Sequence, residues 1–126
     1  MQNKKFILGL VSVAITFGLL LVTNSCKETS SVACNLPETV SYTENIAPLI
    51  EEKCFKCHAE EVYKQKASRN KIYTYESLRE KAEGGILMGS LTHQKGYIAM
   101  PYKMGKKIDT CSIALIGKWV TTGMKK

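Results

Sequence analysis

The 126-residue sequence predicts a mainly α-helical single domain whose first and last helices pack across each other, set behind an apolar N-terminal segment. Three observations predict this. Apolar residues in IAPLIEEKCFKC and SIALIGKWV recur at three- and four-residue steps, the period of a helix with one buried face. No stretch alternates apolar and polar residues as a half-buried strand does. No internal repeat divides the chain, and its length suits one domain rather than two.

The N-terminal segment comes first. Lys4 and Lys5 precede FILGLVSVAITFGLLLV (6–22), and small residues, Thr23-Asn24-Ser25, follow it. A positive start, an apolar middle and a small-residue end are the parts of a secretory signal. Seventeen apolar residues also approach the length of a membrane span, so an uncleaved anchor is the rival reading. Either way the remainder is exported, with the two lysines held inside. Cys26 stands directly after the segment, as in a bacterial lipoprotein signal, where the cysteine is lipidated and becomes the new N-terminus. Three places before it stands Thr23 instead of the usual leucine. Residues 1–25 are read as the signal, and 26–42 (KETSSVACNLPETVSY after Cys26) as a flexible linker giving reach from the membrane. The domain proper then runs over 43–126.

Within the domain, a first helix is predicted from Thr43 or Ala47 to His58, with Pro48 tolerated in its first turn. Residues 59–73 show no strong period. Thr74 suits an N-cap for YESLREKAE, which Gly84-Gly85 ends. A short apolar piece, ILMGSL, leads to a methionine-bearing loop over about 92–108. The last helix starts near Asp109 or Thr110 and stops at Gly123, with Ile113, Ile116, Trp119 and Val120 on one face.

Charge excludes one class of function. Without residues 1–25 the chain carries 16 basic and 11 acidic side chains, a net +5. The two signs are interspersed, and no basic cluster is interleaved with aromatics, so nucleic acid is not an expected partner. The excess reads either as a solvated surface or as a docking face for an acidic partner.

Five cysteines remain to be assigned: 26, 34, 54, 57 and 111. With Cys26 lipidated, and Cys54 and Cys57 in a motif, Cys34 and Cys111 are left. An even remainder in an oxidising compartment suggests a disulfide; two free buried thiols are the alternative.

The motif is CFKCH, residues 54–58. Structural zinc wants four ligands, commonly two CxxC-like pairs, and only one pair is present. A redox dithiol opens a helix after a strand, whereas a helical pattern precedes this one. Covalent haem matches the spacing. Cys54 and Cys57 stand one helical turn apart, placed to form thioethers with two vinyl groups, and His58 follows on the same side as proximal iron ligand. A chance Cys-x-x-Cys-His in a chain of this composition is expected on the order of 0.003 times.

The sixth iron ligand separates electron transfer from small-molecule chemistry. The candidates are Met88, His93, Met100, Met104 and Met124. Met88 lies in an apolar stretch suited to packing, and Met124 in the tail. Met100 precedes Pro101, which bars helix there and leaves an extended segment able to lay a thioether against iron. Met100 is therefore the expected ligand, with Met104 and His93 as rivals.

Taken together, Cys34 ahead of the first helix, IAPLIEEKCFKCH, GSLTHQKGYIAMP, the cysteine of IDTCSIALI and the closing KWVTTG resemble the small bacterial class I c-type cytochromes, in particular the single-haem exported lipoprotein kind. The resemblance covers about residues 34–123, and CxxCH and Met-Pro are its specific parts. It implies a cytochrome c-like fold, one covalent haem c on Cys54 and Cys57, and axial ligation by His58 and Met100. Met104, just after Met-Pro, departs from the methionine-free sequence of many relatives.

The function so implied is that of an electron carrier, not an enzyme, tethered by lipid to the periplasmic side of a bacterial membrane. Its partners are redox proteins of a respiratory or periplasmic chain, docking transiently, with Lys56, Lys103, Lys106 and Lys107 as candidate edge lysines. The competing readings are a haem subunit of a larger oxidoreductase, a peroxidase, and a gas-sensing haem domain. The domain is small, about 85 residues, so a bonded porphyrin would supply much of its apolar interior, and the haem-free chain is expected to be largely disordered.

Overall fold

A computed structural model describes residues 33–126. The expected signal or anchor over 1–25, and Cys26, lie outside the described residues. Those that are described fold mainly into helices, and no strand occurs among them. None of their helices is long and apolar enough to cross a membrane.

The packed unit begins before the predicted domain boundary at 43. Cys34 is joined to Cys111 by a disulfide that spans 77 residues of sequence. Lys118 Nζ donates to Pro37 O at 2.6 Å, and Val40 is buried in the core. Residues 33–42, expected to be a free linker, are thus fastened to the domain.

The first helical segment opens with a π-helical turn over Tyr42–Ile46, capped by Ser41, whose hydroxyl accepts from Glu44 N at 3.2 Å. It continues into α1, Ala47–His58, with Pro48 near its start. Residues 59–73 contain a single short helical turn, α2 (Tyr63–Lys66). Then comes α3 (Tyr75–Glu83), closed at its start by a capping box between Thr74 and Ser77. Gly84 and the left-handed Gly85, at φ 72°, turn the chain into α4 (Ile86–Leu91). After an irregular loop, α5 (Thr110–Thr121) begins on its N-cap Asp109.

The core gathers Val40, Ile46, Ile50, Leu78, Ala82, Leu87, Leu91, Ile116 and Trp119. From the predicted face of α5, Ile116 and Trp119 are fully buried, while Ile113 and Val120 pack half-buried against the cluster. α5 meets the N-terminal helical segment at its π turn, where the Tyr42 and Trp119 rings lie 6.2 Å apart, and it also touches α4. Tyr75 adds edge contacts to both rings.

α4 and α5 end alike. At each, two backbone N–H groups reach back to free carbonyls: Gln94 N to Gly89 O and His93 N to Ser90 O after α4, Met124 N to Trp119 O and Gly123 N to Val120 O after α5. This is the Schellman pattern, which sets one residue in the left-handed region. After α5 that residue is Gly123, at φ 94°; after α4 it is His93, at φ 56°. A side chain in that conformation costs about 1–2 kcal/mol that glycine avoids.

Candidate functional site

The site residues fall on two separate elements. Cys54, Cys57 and His58 occupy the last turn and a half of α1. Met100 belongs to the loop between α4 and α5.

Cys54 is half-buried, packs against the core together with Phe55, and forms no disulfide; Cys57 is exposed and also unbridged. Burial, and then the neighbouring Cys57, push the Cys54 thiol up to about 11. It stays protonated at neutral pH. Redox dithiols work the other way: they sit at a helix N-terminus, and the thiolate is stabilised. Here the pair sits at the C-terminal end of α1, where the helix dipole disfavours an anion. Among the described residues, no three His, Cys, Asp or Glu side chains converge as a metal cage. Neither zinc nor dithiol chemistry is supported by this arrangement.

His58, the last residue of α1, is half-buried. Its Nδ1 lies 2.9 Å from Asn70 O. A carbonyl can only accept, so Nδ1 carries the proton and donates. That fixes the tautomer and leaves Nε2 with a lone pair, the state a metal-ligating imidazole needs. The acceptor is held in place by its own loop. Asn70 N donates to Ala67 O at 2.8 Å, and Arg69 N to Tyr63 O at 3.1 Å. Ser68 and Arg69 take left-handed φ of 49° and 64° to bring the chain round. Edge-on contact between the Tyr63 and Tyr73 rings, centroids 5.3 Å apart, closes the base of this loop.

The methionine loop is exposed over 94–99 and again over 102–107; between them Met100 and Pro101 are half-buried. Both backbone polar groups of Met100 are engaged. Its N–H donates to Ser90 O at 3.0 Å, and its carbonyl accepts from His93 Nε2 at 2.9 Å. The Met100–Pro101 bond is cis. A turn follows, with Met104 N donating to Pro101 O at 3.2 Å. Met104 is 61% exposed, and Ile98, Tyr102 and Tyr97 are exposed beside it.

Of the five candidates for a second axial ligand, then, Met100 has its backbone fixed on both sides and is half-buried. Met104 stands outward on a turn. His93 spends Nε2 on the Met100 carbonyl. Met88 packs against the core, and so does Met124, half-buried in the tail. Lys56, Lys103, Lys106 and Lys107 are all exposed.

Two features of the site are not written in the sequence pattern: the Asn70 carbonyl that orients His58, and the His93 contact with Met100. The first is a backbone group, which no side-chain motif marks. The second depends on a left-handed turn that glycine ordinarily signals.

Comparison of the chain with models of protein families, with characterised proteins and with solved structures returns no match.

Proposed function

We propose that this chain is a single-haem c-type cytochrome that carries electrons on the exported side of a bacterial membrane, tethered through a lipid on Cys26. The observation that carries the reading is the donation from His58 Nδ1 to Asn70 O, which leaves Nε2 as the one basic nitrogen of the ring. It belongs to a Cys-x-x-Cys-His run whose thiols are unbridged, and so are available for thioether formation.

The residues present fit the group. Cys54 and Cys57 would hold it through two thioethers, His58 Nε2 and Met100 Sδ would hold its iron, and the apolar side chains of the methionine loop suit a flat macrocycle. When bound, haem supplies a one-electron Fe(III)/Fe(II) couple, which a thioether ligand shifts to higher potential. The protein's own work is to orient and exclude. Asn70 O sets the plane of His58 and fixes its tautomer. The Met100 backbone, hydrogen-bonded at both N–H and carbonyl, has little entropy left to lose when its side chain binds. With both residues holding the iron, oxygen or peroxide would find no free place on it, which favours a carrier over a peroxidase, a gas sensor or a catalytic subunit. Lys56 on α1 and Lys103, Lys106 and Lys107 on the loop give an acidic redox partner a positive approach. A cytochrome c-like arrangement of helices is part of the same proposal.

The test is the absorption spectrum of protein matured in a host that exports and attaches haem. Low-spin ferric protein with a weak band near roughly 695 nm is expected, lost in Met100→Leu. Colourless protein with both motif thiols free to alkylate overturns the reading. Red protein whose ferrous form takes up carbon monoxide at once keeps the haem and removes the carrier assignment.

A further inference from the structure

By residue type alone, His93 is a rival iron ligand. Its geometry points elsewhere, and we propose that His93 is the positioning residue that holds the Met100 loop for ligation. This rests on the ligand reading above and goes beyond it.

His93 occupies the left-handed position that ends α4, at φ 56°. The equivalent position after α5 is filled by Gly123, at φ 94°, so the backbone alone asks for glycine at such a place. A histidine there carries a backbone cost that a side-chain contact can offset. The side chain supplies one: Nε2 reaches seven residues ahead to the carbonyl of Met100 at 2.9 Å. A carbonyl accepts, so the ring donates from Nε2. Lastly, Met100 N donates to Ser90 O, and Ser90 O also receives His93 N at 3.3 Å. The end of α4 and the candidate ligand are thus tied through one carbonyl and one imidazole. Gly89 completes the frame, because only its bare Cα lets the Tyr97 ring lie against α4; a Cβ there would stand 2.5 Å from Tyr97 Cγ.

The loop over 94–107 has little else to hold it. Apart from Met100 and Pro101 its residues are exposed. Without the imidazole, the sulfur would leave the iron more often, and the iron would become open to outside ligands. His93 acts through Met100 and never touches the metal.

The experiment compares wild-type haem protein with His93→Leu, which removes the donor, and His93→Gln, which keeps one. Removing one hydrogen bond shifts the attached-to-detached balance of the sulfur by about three- to tenfold. His93→Leu is expected to weaken the 695 nm band and to bind carbon monoxide about three- to tenfold faster when reduced, while His93→Gln recovers most of both. Should His93→Leu fail to fold, His93→Asn, too short to reach the carbonyl, takes its place. If wild type shows the band and the donor-free variant keeps it, with unchanged carbon monoxide uptake, the inference fails while the ligand reading stands. If wild type is low-spin without the band, and His93→Leu but not Met100→Leu turns the ferric protein high-spin, His93 is itself the ligand, and both fail.

Discussion

Asp109 accepts from Ser112 N at 2.8 Å and from Ser112 Oγ at 2.7 Å, with Lys53 Nζ 3.8 Å away. The hydrogen bonds from Ser112, and then the lysine, hold its carboxyl below the ordinary value of 3.8. A native pKa lower than the unfolded one means that the unfolded chain binds the proton more readily. The stabilisation is therefore complete above the ordinary carboxylate value and is lost as pH falls through the lower native one. Asp109→Ala should cost about 1 kcal/mol at neutral pH, the usual worth of an N-cap. The gap to wild type should close in acid, and Asp109→Asn, which still caps, should flatten that dependence. Denaturant unfolding of the three proteins from neutral pH down to roughly pH 3 checks it. His58 shows the same economy: one backbone carbonyl chooses its tautomer, and no charged neighbour is needed.

At the scale of elements, the helices with chemical punctuation are the ones legible in the sequence. Thr74 caps α3 and Gly84-Gly85 end it, and α5 starts from Asp109, because caps and stops are local side-chain chemistry. Three elements are harder to read, although Ser41 caps one of them. The π turn over Tyr42–Ile46 widens a helix that the apolar period alone starts only within a few residues. α2 has one turn and α4 six residues, too short for a period to register. α4 matters most, since its end sets the methionine loop, and its helical state depends on Leu87 and Leu91 entering the core. Gly89 within it invites a direct test. A methyl group there would meet the Tyr97 ring at 2.5–2.7 Å, too close for any real contact. Gly89→Ala should destabilise by about 1–3 kcal/mol through overpacking. Tyr97→Ala in the same chain should recover part of that loss, so the two effects should be well short of additive in thermal melting.

At the scale of the molecule, the two ends of the domain are cross-linked. Cys34 precedes the first helical segment and Cys111 lies in the first turn of α5, so the bridge closes almost the whole packed unit. The chain-entropy model gives a loop of this length about 4.5 kcal/mol. Reduction, or paired replacement by serine, should lower the unfolding free energy by up to about that amount, read from denaturant midpoints with and without reductant. An unchanged midpoint would mean that the reduced chain keeps its ends together by other contacts. Such contacts exist at the far end of α5. Lys125 O accepts from Tyr42 N at 2.8 Å and from the buried indole of Trp119 at 2.9 Å, and Met124 O accepts from the Tyr75 hydroxyl at 2.9 Å. The closing residues thus work as a latch on the aromatic centre, and trimming them would strand an indole N–H in a dry interior. A purification handle belongs behind Lys126, where both carbonyls survive, and never in place of the last three residues.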